Sequence, residues 1–392
     1  MKEITQILHQ GDAPENYYGA VNPPVVHASL FGYKTFQEFQ AASADMFNRP
    51  YYHRDFNPTV NLLEQKIALL EHAEAAIAFS SGMGAITAPL LALLSQGDHL
   101  LVVEAVYGPT RKFCNETLTR LGIEVEYFSP AEAADLSRRL RVNTRLIFLE
   151  SPGSLTFELQ DLPIVAELAR DRGIYTIADN SWATPLYQKP LDLGIDIVVH
   201  SGTKYIAGHS DLTLGLLACS AKMYHKIKPT AALLGASLAP DDAYLALRGL
   251  RTLPLRLARH QDNALAVARW LQTRPEVREV LHPGLPEFSG YELARRQLTG
   301  YSSLFSFRLQ PAPAWARHAF VDALDLFLIG VSWGGYESLI LPLETAFTHE
   351  PDWRARRRID NDTFRTSIGL EDPEDLILDL EQGLAAWRAA LG

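Results

Sequence analysis

The 392-residue chain has only two cysteines, Cys114 and Cys219, and neither sits in a CxxC pair or a Cys/His cluster. A disulfide scaffold is therefore not expected, and both thiols read as buried groups in a reducing compartment. The chain also lacks any run of five or six basic residues, and its 46 acidic side chains outnumber 36 basic ones for a formal charge of -10. Neither nucleic acid nor an anionic membrane is thus expected as the main partner. The N-terminus, MKEITQILHQGDAPE, has no apolar core followed by a small-residue cleavage site, so a cytoplasmic protein without a leader is expected. One uncharged stretch, 75–97, is long enough to span a bilayer, but Ser80, Ser81, Gly82, Gly84, Pro89 and Gln96 interrupt it. It reads as a buried strand, a turn and a buried helix, which leaves no membrane span.

The rest of the sequence describes an ordinary globular chain. With 47% hydrophobic residues, its length suits about two or three domains. Residues 1–57 read as an irregular arm rich in Gly, Pro and aromatics, a composition that suits a segment lying on something else. From residue 60, short apolar runs alternate with helical periodicity: 75–79, 100–104, 124–128, 145–150, 175–179, 196–200 and 214–218. This alternation predicts an α/β fold with a mostly parallel, seven-stranded sheet and helices on both faces. A long helical stretch near 240–273 leads into a smaller C-terminal α/β domain. Its strands are expected near 277–282, 302–309, 326–332, 337–341 and 365–370, with a closing helix at 374–391. The domains are thus expected at 58–249 and 250–392.

Three segments carry candidate chemistry. Ser80-Ser81-Gly82-Met83-Gly84 lies between a strand and a helix, where glycine and the helix N-terminus can cradle a phosphate. Asp179 ends the strand YTIAD, at the edge where parallel sheets bind ligands. Lys204 follows the strand DIVVH inside Ser201-Gly202-Thr203-Lys204-Tyr205, and a partly desolvated amine there suits a Schiff-base nucleophile. Each has an ordinary alternative when read singly: a tight turn, a capping carboxylate, a salt-bridged lysine. Together they are the fixtures of a pyridoxal phosphate site: a phosphate cradle, an acid for the ring nitrogen and an amine for the aldehyde. His53, His200 and His209 have no spacing that favours a metal, and no metal is expected.

With these residues in place, the sequence resembles the Cys/Met metabolism family of PLP-dependent enzymes. The matching blocks are YYHRDFNPT at 51–59, SSGMGAI at 80–86, VYGPT at 106–110, ESPGSLTFE at 150–158, ADNSWATP at 178–185, SGTKYIAGHSD at 201–211, RGLRTLPLR at 248–256, SWGGYESL at 332–339 and RTSIGLED at 365–372. The resemblance implies fold type I, the aspartate-aminotransferase-like transferase fold. It implies pyridoxal 5'-phosphate held covalently by Lys204, with Asp179 at the pyridinium and Tyr107 stacked on the ring. Gly82, Met83, Ser201 and Thr203 would hold the phosphate, helped by Tyr52 and Arg54 from a neighbouring subunit in a homotetramer. Arg365 would clamp the substrate carboxylate, with Ser332, Trp333 and Tyr52 at the substrate and Ser151 helping to orient it. Within the family, Trp333, Val331 and Pro109 resemble the β-eliminating branch, which cleaves L-cystathionine to homocysteine, pyruvate and ammonia. The γ-synthase, γ-lyase and methionine γ-lyase reactions are the alternatives. Asp55 stands where some β-lyases carry a basic residue, for which Lys112 could substitute, and Pro89 is expected to kink its helix.

Overall fold

The computed structural model describes residues 2–346 and 350–392. The large sheet contains β1 (Ala75–Phe79), β2 (His99–Val103), β3 (Glu124–Phe128), β4 (Thr144–Glu150), β5 (Tyr175–Asp179), β6 (Ile197–Ser201) and β7 (Gly215–Cys219). Their order is β1-β7-β6-β5-β4-β2-β3. All pairings are parallel except those of β7, which runs against both β1 and β6. All seven strands lie within a residue of the expected runs.

The inner segments become strands because both faces of the sheet are covered there and nearly every position is apolar, whereas the edge strand β3 is partly exposed and carries Glu124 and Glu126. Along β1, Ile77 and Phe79 join one core layer while Ala76 and Ala78 join the opposite one, as a side-chain period of two requires. Helix Gly82–Leu93 follows β1, with the Ser81 hydroxyl accepting the Gly84 N–H at its start. The helix runs on through Pro89, which is buried.

The smaller sheet contains β8 (Val277–Leu281), β9 (Leu304–Leu309), β10 (Leu328–Ile329), β11 (Leu339–Pro342) and β12 (Thr363–Ser367), ordered β10-β11-β12-β9-β8. Helix Pro373–Leu391 covers it through Leu376, Leu380 and Leu384. The two units share helix Pro240–Gln272. Its first half, through Leu257, belongs to the core behind the large sheet, and Ala264 to Leu271 belong to the core of the small one. Position 249/250, where the sequence suggests dividing the chain, lies inside this helix.

The N-terminal segment is more regular than its composition suggests. Helix Phe36–Ala44 starts with a capping box, Thr35 with Glu38, and it leaves Phe36 and Phe39 exposed. Cys114 and Cys219 are both free and buried, and burial pushes each thiol up to about 12. Among the described residues no helix is long and apolar enough to cross a membrane, and no His/Cys/Asp/Glu group could hold a metal ion.

Candidate active site

The carboxyl ends of the parallel strands converge on a cavity of about 270 Å³. Glu150 ends β4, Asp179 ends β5 and Ser201 ends β6. Tyr107 follows β2, and Gly82 and Met83 open the helix after β1. All six line the cavity, as do Thr203 and Lys204 in the loop leaving β6. The small unit contributes Val331 and Trp333 from the segment between β10 and β11, and Arg365 from β12.

Lys204 Nζ donates to Ser332 Oγ at 2.8 Å and lies 5.3 Å from the centre of the Trp333 ring. Burial, reinforced by the charge of Arg365, lowers this amine to about 8, with Asp179 opposing. Asp179 Oδ1 accepts both the Ser181 N–H at 2.9 Å and the Ser181 hydroxyl at 2.6 Å. Burial raises the carboxyl, while Ser181, His200 and Lys204 favour its ionised form. Glu150 is its register partner on β4 and accepts the Tyr107 N–H at 2.7 Å. Burial first, and then the Asp179 charge, holds Glu150 well above the usual carboxylate range. Burial likewise raises the Tyr107 phenol, with Glu150 and Asp179 adding to the effect and Arg365 opposing.

Arg365 is buried, and its Nη2 donates to the carbonyls of Val331 at 2.6 Å and Ser332 at 3.2 Å. It forms no ion pair with a carboxylate among the described residues, and burial lowers its guanidinium to about 10. A buried guanidinium without a counter-ion is suited to an incoming anion. The phosphate end is equally specific in shape: a Cβ on Gly82 would stand 2.9 Å from Ser201 Oγ and 3.2 Å from Ser201 Cα. Only glycine lets helix and strand end approach this closely beside the unpaired N–H groups of the first helical turn.

Some expected residues lie elsewhere or are already engaged. Ser151 is a correction: its hydroxyl is buried against the Gln160 backbone, at 3.0 Å from the N–H and 3.3 Å from the carbonyl, and it does not line the cavity. The Thr203 hydroxyl exchanges hydrogen bonds with the backbone of Leu214. Tyr52 and Arg54 lie outside their own chain's cavity. They are about half exposed, with the Arg54 guanidinium 5.3 Å from the Tyr52 ring centre and 3.7 Å from Asp55. Lys112 is exposed in another groove, lined also by Pro109 and Glu350, and does not line this cavity.

The sequence reading missed Ser181, Glu150 and Arg256. Arg256, from the long helix, donates to the carbonyls of Tyr205 and Gly249, both at 2.7 Å, and so fixes the loop that carries Lys204. The signals were available: Glu150 ends its strand as Asp179 does, and Arg256 closes the RGLRTLPLR block.

A sequence profile of the Cys/Met metabolism PLP-dependent enzymes matches residues 4–385. The chain belongs to this family. Its cofactor is pyridoxal phosphate, which the Gly82 cradle, the strand-end Asp179 and the shielded Lys204 amine fit. A Rhizobium johnstonii protein provisionally named cystathionine beta-lyase is 43% identical over 389 residues, covering 98% of this chain and 96% of that protein. The L-methionine gamma-lyase of Pseudomonas putida is 38% identical, covering 97% of both chains. Among solved structures, a cystathionine gamma synthase from Xanthomonas oryzae has a TM-score of 0.91 and 36% identity, with 99% of each chain covered. These three relatives are named for different reactions of sulfur amino acids, and the L-alanine/L-glutamate racemase of Wolbachia pipientis, 36% identical over 98% of this chain and 97% of that protein, is named for another reaction.

Proposed function

We propose that the chain is a carbon–sulfur β-lyase, acting on L-cystathionine and other cysteine S-conjugates to release a thiol, pyruvate and ammonia. The observation that carries this reading is that Trp333 and Val331 both line the cavity beside Lys204. Family synthases and γ-lyases resemble one another in a leucine at the first position, and the γ-acting enzymes in an acidic residue at the second. Pro109, where the methionine γ-lyases carry cysteine, points the same way, as does the name of the Rhizobium johnstonii relative.

Bound pyridoxal phosphate supplies an electron sink for the carbanion left when the substrate Cα proton is removed. Gly82, Met83, Ser201 and Thr203 would hold its phosphate, Tyr107 would cover its ring, and Asp179 would keep its ring nitrogen protonated. Arg365 binds the substrate carboxylate through its planar fork, which fixes the Cα–H bond relative to Lys204. Lys204 takes the Cα proton. An amine near 8 can both accept and return a proton around neutral pH, and the Ser332 hydroxyl at 2.8 Å keeps it pointed into the cavity. The sulfur leaves from Cβ, and it takes up a proton from Lys204 or from the Tyr107 phenol.

By the family resemblance, Tyr52 and Arg54 would complete the phosphate site of a neighbouring chain, in a homotetramer built from dimers with shared sites. The experiment separating this reading from the γ-acting alternatives offers L-cystathionine and L-methionine to the holoenzyme in turn. Homocysteine release from the first with no methanethiol from the second supports the β-lyase; methanethiol release overturns it.

A further inference from the structure

Directly behind Asp179 lies a polar group that the reaction does not use. Glu71, at the end of helix Pro58–Leu70, and His200, on β6, are 0% and 1% exposed. Glu71 Oε1 is 2.5 Å from His200 Nε2. Asn180, the residue after Asp179, donates from Nδ2 to the same Oε1 at 3.1 Å. The identity of that amide nitrogen is fixed by its other two partners, the carbonyl oxygens of Thr184 at 3.3 Å and Gln188 at 3.0 Å, which can only accept.

Glu71 Oε1 therefore accepts from Asn180, a contact that favours the ionised carboxylate and with it a proton on His200 Nε2. A carboxylate this deeply buried requires a compensating positive charge. His200 is the one basic group in contact with Glu71 among the described residues, and a second proton on its ring makes the pair neutral. Glu71 Oε2 and His200 Nδ1 have no partner among the described residues, a pattern that suits buried water. His200 meets Glu71 directly, and its charge also acts on Asp179. On the cavity side, Asp179 also meets Lys204, with Glu150 beside it in register.

We infer that the Glu71–His200 pair, oriented by Asn180, is an electrostatic positioning device that keeps Asp179 ionised and so keeps the cofactor's ring nitrogen protonated. The inference rests on the proposed role of Asp179. Asp179 pairs in register with Val199, the residue before His200, and a positive charge on His200 favours the ionised carboxylate against the cost of burying it. Without it, the proton shared between ring nitrogen and carboxyl shifts toward the carboxyl, and the ring loses part of its capacity to accept electrons.

The test reads the ring nitrogen itself, by 15N magnetic resonance of the protein loaded with 15N-labelled pyridoxal phosphate at fixed pH. His200→Gln and Glu71→Gln are expected to move the proton distribution about tenfold or more toward the unprotonated ring. Asp179→Asn serves as the reference for complete loss. A wild-type signal in folded His200→Gln and Glu71→Gln, with Asp179→Asn displaced, overturns the inference and leaves the site reading intact. An undisplaced Asp179→Asn signal instead overturns the role of Asp179. A further measurement needs no variant: the labelled His200 ring in the wild type is expected in its doubly protonated form, and a neutral ring contradicts the proposal.

Discussion

Lys204 meets two opposing demands, a proton affinity low enough to leave the amine free and a geometry that keeps it at the cavity. Burial and Arg365 meet the first, lowering the amine to about 8, and Ser332 and Trp333 meet the second. Because only the neutral amine attacks, cofactor-free protein should capture the cofactor aldehyde at a rate that rises through pH 8 and then levels. An unshielded lysine would keep gaining toward pH 10 and above, and stopped-flow absorbance across this range distinguishes the two. Lys204→Ala should lower turnover by about 10⁴-fold without unfolding the chain, as steady-state assay and circular dichroism would show. Arg365→Lys keeps the charge but loses the planar fork, so kcat/KM should fall about 10- to 100-fold, mostly through KM. Lys204 was legible because a cradle, an acid and an amine at three strand ends make sense together, whereas Arg365, Ser332 and Trp333 came only through the family resemblance. Ser151 came the same way and misled, since a serine in a family block can equally bond its own loop.

The sheet strands were legible because burial on both faces imposes short, continuous apolar runs. Helix Phe36–Ala44 escaped because it buries only Ala42 and so has almost no apolar face to read, although its Thr35/Glu38 capping box was visible. Its exposed Phe36 and Phe39 also imitate the irregular aromatic composition of a loop. The long helix shows a subtler omission, the reach of one element into another's chemistry. Gly249 packs so closely on the loop after Lys204 that a Cβ would overlap the Ala207 carbonyl and stand 2.7 Å from that of Ile206. Arg256, about two turns further along the same face, ties the same loop through the Tyr205 carbonyl. Gly249→Ala should therefore destabilise the fold by about 1–3 kcal/mol and weaken cofactor binding as the lysine loop shifts. Urea unfolding and cofactor titration measure the two effects, and unchanged values in both would contradict this packing.

At the scale of the whole molecule, the proposed site draws on residues that one chain keeps apart. Lys204, Asp179 and Arg365 meet in its own cavity, whereas Tyr52 and Arg54 stand outside it on an arm with an exposed aromatic surface. The fold of one chain keeps them outside the cavity, and no sequence spacing reveals this; only the resemblance suggested a shared site. Mixing Lys204→Ala with Arg54→Ala subunits under exchange conditions should thus restore activity to about a quarter of the wild type. Random pairing makes half of the dimers mixed, and each mixed dimer has one intact site. No recovery after confirmed exchange would place Arg54 outside a shared site. The central claim concerns which bond the assembled enzyme breaks, and the keto acid formed from L-cystathionine tests it most directly. Pyruvate in equal amount to homocysteine is the result expected from the Trp333 and Val331 cavity, and 2-oxobutyrate accompanied by cysteine would contradict it.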